Sequence, residues 1–126
     1  MAQDIQTILD NAKNLVIKVT GSGAGTTTIV DASALNPSCT RLNLLRAAGN
    51  FGASTSGTLL WDATTDVTII TLNEFSNHDA WDFCYFGGIP NNGGAGVTGD
   101  VNLTITGTGV YTLVLTFSKQ DPVREA

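Results

Sequence analysis

From residue 14 onward the apolar positions recur every second residue. Leu15, Ile17 and Val19 alternate with Val16, Lys18 and Thr20, and Val101, Leu103 and Ile105 alternate with Asn102, Thr104 and Thr106. Between 110 and 118, Tyr111, Leu113, Leu115 and Phe117 form one apolar face. A period of two places alternate side chains on opposite faces of a pleated strand, and Val, Ile and Thr suit that surface. Shorter alternating or β-branched runs cover 26–31, 41–46, 58–62, 67–72 and 80–86. Turn-forming clusters separate them: GSGAG at 21–25, an Asn-Pro step within 31–38, GNFGASTSG at 49–57, ATTD at 63–66 and GTG at 107–109. The ATTD and GTG turns read as hairpin connections. About eight short strands at roughly 8–12-residue spacing predict an all-β fold, a single β-sandwich or jelly-roll-like domain.

The first segment breaks the alternation. Ile5, Ile8, Leu9 and Ala12 follow the i, i+3, i+4, i+7 stripe of a helix, with Asp4 near its start and Lys13 near its end, as the helix dipole favours. The pattern predicts a helical arm over 1–13, a β-sandwich over 14–119 and a flexible tail over 120–126. So short a helix needs something to pack against, in its own domain or on a neighbouring molecule. If it is an arm, removing it leaves the sandwich folded.

One motif suggests nucleotide chemistry. Gly94, Gly96 and Gly99 spell G-x-G-x-x-G, which cradles a pyrophosphate when a helix N-terminus follows. The residues after Gly99 alternate as a strand, and Asp121 falls in a polar tail, so the loop reads as a flexible connection. It should then tolerate shortening, because loop closure costs little entropy.

Composition narrows the classes further. The 126 residues carry a net charge of −5, and the few basic residues are scattered, which does not suit a phosphate-binding surface. Nucleic acid is not an expected partner. No apolar run approaches the roughly 20 residues of a membrane span. The start MAQDIQTILDNAKN lacks the features of a secretory signal, so folding in a cytoplasm is expected. Cys39 and Cys84 are too few for a disulfide framework and are expected as free, buried thiols.

Candidate catalytic groups are sparse. His78 and Cys84 could form a base–nucleophile pair with Asp79 or Asp82 orienting the base, but Phe83 and Tyr85 around the thiol point to packing. Cys39, Cys84 and His78 lack the close ligand pairs of a zinc site. Asp62 to Asp66 only faintly resembles the first half of a calcium loop, since Val67 replaces the glycine and Asn73 the bidentate glutamate. A tight polar hairpin accounts for it. Trp61-Asp62 and Trp81-Asp82 stand closer together than the blades of a propeller repeat, about 40–45 residues apart. Either tryptophan could stack on a sugar ring if exposed, although their apolar neighbours place both in the core. No cofactor is implied.

Four longer strings carry a resemblance: LVIKVTGSGAGTTTIVDASAL, LLWDATTDVTIITL, WDFCYFGGIPNNGGAGVTGDVNLTITG and VYTLVLTFSK. Over about 15–119 the chain resembles a family of small virion structural proteins of tailed bacteriophages. The resemblance implies a non-enzymatic role, as a head decoration or cement protein on the outside of the capsid. It implies the major capsid protein as partner, self-association as a homotrimer and location in the virion after synthesis in the host cytoplasm. The N-terminal segment becomes the tether, with Ile5, Ile8 and Leu9 as capsid or subunit contacts. A neck or tail component and a carbohydrate-binding module are the alternatives.

Overall fold

The computed structural model describes residues 2–76 and 80–120. Over them the chain forms β1 (Ala2–Asp10), β2 (Asn14–Ser22), β3 (Gly25–Val30), β4 (Arg41–Phe51), β5 (Ser56–Trp61), β6 (Val67–Asn73), β7 (Trp81–Asp82), β8 (Val101–Thr106) and β9 (Val110–Gln120). One sheet has the order β1-β2-β9-β4-β7 and the other β3-β8-β5-β6, with every pairing antiparallel. Without β1, these are the two four-stranded sheets of a jelly roll, in which most connections cross between sheets. The all-β sandwich expected from the alternation is the observed fold.

The alternation fixes what each strand buries. Leu15, Ile17 and Val19 of β2, Leu42 and Leu44 of β4, and Leu113, Leu115 and Phe117 of β9 face Leu59 and Trp61 of β5 and Leu103 and Ile105 of β8 in one core. Burial of each such side chain contributes about 1.5–3 kcal/mol. Phe51 and Tyr111 stack at one end of this core, with ring centroids 6.3 Å apart.

The N-terminal segment is a strand, which corrects the helical arm. β1 pairs with β2 from Ala2 opposite Ser22 to Asp10 opposite Leu15, with a bulge between Thr7 and Leu9. A bulge inserts one residue and inverts the alternation beyond it, so apolar residues spaced i, i+3, i+4 fit a bulged strand as well as a helix. The free edge of β2 offers a ladder of backbone hydrogen bonds, whereas a lone helix of this length is marginal. β1 is also cross-tied to the sandwich: Gln3 Nε2 donates to Tyr111 Oη at 3.1 Å, and Thr27 Oγ1 donates to Gln3 Oε1 at 2.8 Å. Removing 1–13 should therefore destabilise the sandwich. A lower melting temperature of the truncated chain checks this.

Three further expectations change. Gly107–Gly109 is not a hairpin turn, because β8 and β9 lie in different sheets. The turn crosses the sandwich and packs on the β4–β5 crossover, where Gly109 N donates to Thr55 Oγ1 at 2.9 Å and Gly52 N to Val110 O at 2.9 Å. The apolar run 80–86 forms strand only at Trp81 and Asp82, with Phe83 N donating to Leu45 O at 2.8 Å just beyond them. Asp82 Oδ1 then accepts the Cys84 N–H at 2.8 Å, and a 3-10 turn, Cys84–Phe86, follows. The loop at 87–99 is no loose connection either. Ile89 bridges Leu44, Thr64 N donates to Ala95 O at 3.0 Å, and Thr98 N donates to Asp62 O at 3.2 Å. The expected tail begins inside β9 at residue 120, and 121–126 lie outside the described residues.

Candidate functional site

The glycine motif ends in β8 rather than a helix, so no row of free N–H groups forms behind it for a phosphate. Gly99 has φ +88°, and its Cα lies so close to the Thr40 carbonyl that a Cβ would stand 2.3 Å from that oxygen. The motif serves a tight turn.

The Asp62-to-Asp66 stretch is the polar β5–β6 hairpin. Ala63 N donates to Asp66 Oδ1 at 3.1 Å, and the buried Asn102 amide donates to Asp62 Oδ1 and Asp66 Oδ2, both at 3.0 Å. Thr28 Oγ1 donates to Asn102 Oδ1 at 2.8 Å. The alternation gives Asn102 an outward side chain on β8; the hairpin carboxylates cover it. Asn102→Ala should cost about 1–3 kcal/mol, because two carboxylates lose their shared donor. A fall in the urea midpoint with unchanged slope is the expected reading.

The Ala63 N–H and the Asn102 amide hold the Asp66 carboxyl below its usual range. Burial alone would raise Asp10, but hydrogen bonds from Lys119 and the Asn36 N–H, together with the Lys119 charge, lower it. Lowered carboxyls stabilise the fold above the ordinary carboxylate range and lose that contribution as pH falls through their folded values. Stability should hold down to about pH 5 and decline below about pH 4, the region of ordinary carboxylates. Urea unfolding across that range reads the onset.

The candidate nucleophile is poorly prepared. Cys84 is an exposed free thiol, against the expected burial, and no disulfide joins it to Cys39. Asp82, with its carboxylate beside the thiol, raises the Cys84 pKa, which suppresses the reactive thiolate. Cys84 should alkylate more slowly at neutral pH than a free cysteine, and Asp82→Asn should speed it. Iodoacetamide kinetics by mass spectrometry measure both. His78 and Asp79 lie outside the described residues. Among the described residues, no group of three His, Cys, Asp or Glu is placed to hold a metal ion.

The two tryptophans separate. Trp61 is wholly buried, as its neighbours predict, while Trp81 is 47% exposed, against expectation, because β7 is only two residues of an edge. In the turn after β7, Tyr85 is 87% and Phe86 52% exposed, their rings meeting edge to face at 4.8 Å, and the Phe83 ring lies 6.1 Å from that of Phe86. Sequence reading missed this aromatic cluster because the alternation at 80–86 looked like a buried strand.

Ile5, Ile8 and Leu9 are all exposed, and β1 does not gather them on one face. Ile5 and Thr7 line an inner cleft of about 200 Å³ with Ile29, Val30 and Leu35. Leu9, beyond the bulge, turns to the outer face of the larger sheet. There it borders a groove of about 260 Å³ with Val16, Leu45, Thr116, Arg46 and Cys84. Ile8 occupies the bulge. A helix would have aligned the three as one contact stripe.

No family model matches the chain, and none of the curated proteins matches it.

Proposed function

We propose that the chain is a non-enzymatic structural protein of a tailed-phage virion, a decoration or cement protein that seats on the outside of the capsid shell. The observation that carries this reading is the exposed apolar surface. Trp81, Tyr85 and Phe86 stand out at one edge of the larger sheet, and the groove bordered by Leu9, Val16, Leu45 and Cys84 crosses its outer face. Exposed apolar patches of this kind mark interaction sites, and aromatic side chains dominate binding energy at interfaces. The partner is the major capsid protein of the same phage.

Cosedimentation of the purified chain with particles stripped of it tests the reading. Binding that saturates, and that weakens at least about tenfold in Tyr85→Ser, is expected, since exposed aromatic anchors supply over 1 kcal/mol each at hot spots. Absence of binding to particles would remove the proposal. A carbohydrate-binding module is the second reading. It now rests on Trp81 and Tyr85, since Trp61 is inside the core. A change in tryptophan emission on titration with glycans would favour it. A neck or tail component remains the alternative within the same class, and copy number separates it.

A further inference from the structure

The larger sheet has five strands and the smaller four, and β1 is the unmatched one. Its inner face overhangs the β3 edge, which leaves the cleft under Ile5 and Thr7 open. Among the described residues its outer backbone edge carries no partner strand. Free edges template the pairing of another chain, and folded proteins usually guard them with lysine, proline, bulges or brevity. The other edges are guarded in this way. β7 has two residues, β3 keeps register only from Gly25 to Thr28, and the β5–β6 register shifts after Leu59. β1 is bulged as well, after Thr7, but Ala2 to Thr7 runs six residues in unbroken register with β2, against four in β3 (Gly25 to Thr28) and four in β6 (Ile70 to Asn73), and it carries no lysine or proline.

We propose that β1 is an assembly edge that pairs antiparallel with β1 of a second copy about a twofold axis. Identical antiparallel edges meet isologously, so each contact occurs twice. The axis stands normal to the sheet and keeps inner faces together, so directly opposed residues must share a face. Centring on Ile5 places Ile5 against itself on the inner face. The same register sets Asp4 opposite Gln6 of the second copy and Gln3 opposite Thr7 of the second copy. No like charges oppose one another, and Asp4 meets an amide donor. Centring one residue earlier would oppose Asp4 to itself, which costs stability. The register that buries the apolar residue thus also separates the charges. The two inner clefts then adjoin at the axis, and Ile5 from each copy fills the space between the two β3 edges. The larger sheets become one continuous ten-stranded sheet.

This inference does not depend on the capsid reading. It assigns a twofold dimer where the family resemblance implied a trimer.

Sedimentation equilibrium of the full chain under reducing conditions gives the assembly state, with a dimer expected at micromolar concentration. Ile5→Lys sets two ammonium groups opposite each other and should weaken the dimer about a hundredfold. Its circular dichroism should match the parent, because Ile5 lies outside the main core. A second variant keeps the edge apolar. In a Cys84→Ser, Cys39→Ser background, Ile5→Cys places two thiols on the axis. Opposed residues have Cα atoms about 4.5–5.5 Å apart, within the range a disulfide spans. Copper–phenanthroline takes one electron from each thiol as its proton leaves, so the linked dimer should form rapidly, while Ala24→Cys in the same background should not link. A monomer, a trimer, or a dimer that Ile5→Lys leaves intact and Ile5→Cys leaves unlinked would overturn the proposal. A dimer that fails to bind particles would remove the capsid function and leave the edge pairing standing.

Discussion

Asp10→Ala is expected to lower the unfolding free energy by about 3–5 kcal/mol, the loss that follows when a buried ion pair is left with one partner. The Lys119 side chain is 2% exposed and that of its partner Asp10 20%. Lys119 Nζ donates to the Asp10 carboxylate and, at 2.8 Å, to Pro37 O. Asp10 also accepts the Asn36 N–H at 2.9 Å, so one carboxylate fastens β1, the loop before β4 and the end of β9. Alanine leaves a buried cation with a single carbonyl acceptor. Lys119→Met is the informative contrast. It keeps the aliphatic stem, removes the charge and leaves Asp10 with the Asn36 N–H and access to water, so a loss of only about 1 kcal/mol is expected. Urea unfolding of both variants and of the double mutant separates the coupling of the pair from burial of the stem.

Gly99→Ala is the second large effect, with an expected loss of about 2–4 kcal/mol. The left-handed backbone at φ +88° costs a non-glycine residue about 1–2 kcal/mol. The added Cβ would lie 2.3 Å from the Thr40 carbonyl oxygen, and backbone atoms there cannot rotate out of the way. The loop or the start of β4 must shift, and the Thr98-to-Asp62 contact shifts with it. Gly94→Ala, in the same motif, meets nothing within 4 Å and should change stability by less than about 0.5 kcal/mol. A phosphate cradle would make both glycines matter to a ligand. A tight turn makes only Gly99 matter to folding. Thermal melts of the two variants distinguish these roles.

Much of the sandwich was legible because one face of each strand is buried and the other is not. β2, β8 and β9 alternate cleanly, and their inward residues form the core. The same alternation extends one step past Phe117 to Lys119, whose place on the inward face signals burial. A lysine hides that signal from a reading based on hydrophobicity. β1 was illegible for a geometric reason, since its bulge converts a strand pattern into a helical one. The 107–109 turn misled because a glycine-rich connection has the same composition whether it joins neighbours in one sheet or crosses between two. Ile5, Ile8 and Leu9 are exposed, but β1 spreads them over the inner face, the bulge and the outer face, because side-chain direction depends on the type of element. Tyr85 and Phe86 are exposed in the turn that ends the strand pattern, where Asp82 Oδ1 accepts the Cys84 N–H, a local hydrogen bond that no periodicity reveals.

The measurement closest to the central claim is quantitative mass spectrometry of purified particles of the encoding phage, scaled to the major capsid protein. A decoration role predicts a ratio approaching one copy per shell subunit. A dozen copies or fewer per particle would contradict it in favour of a neck or tail position, and complete absence would contradict any virion role.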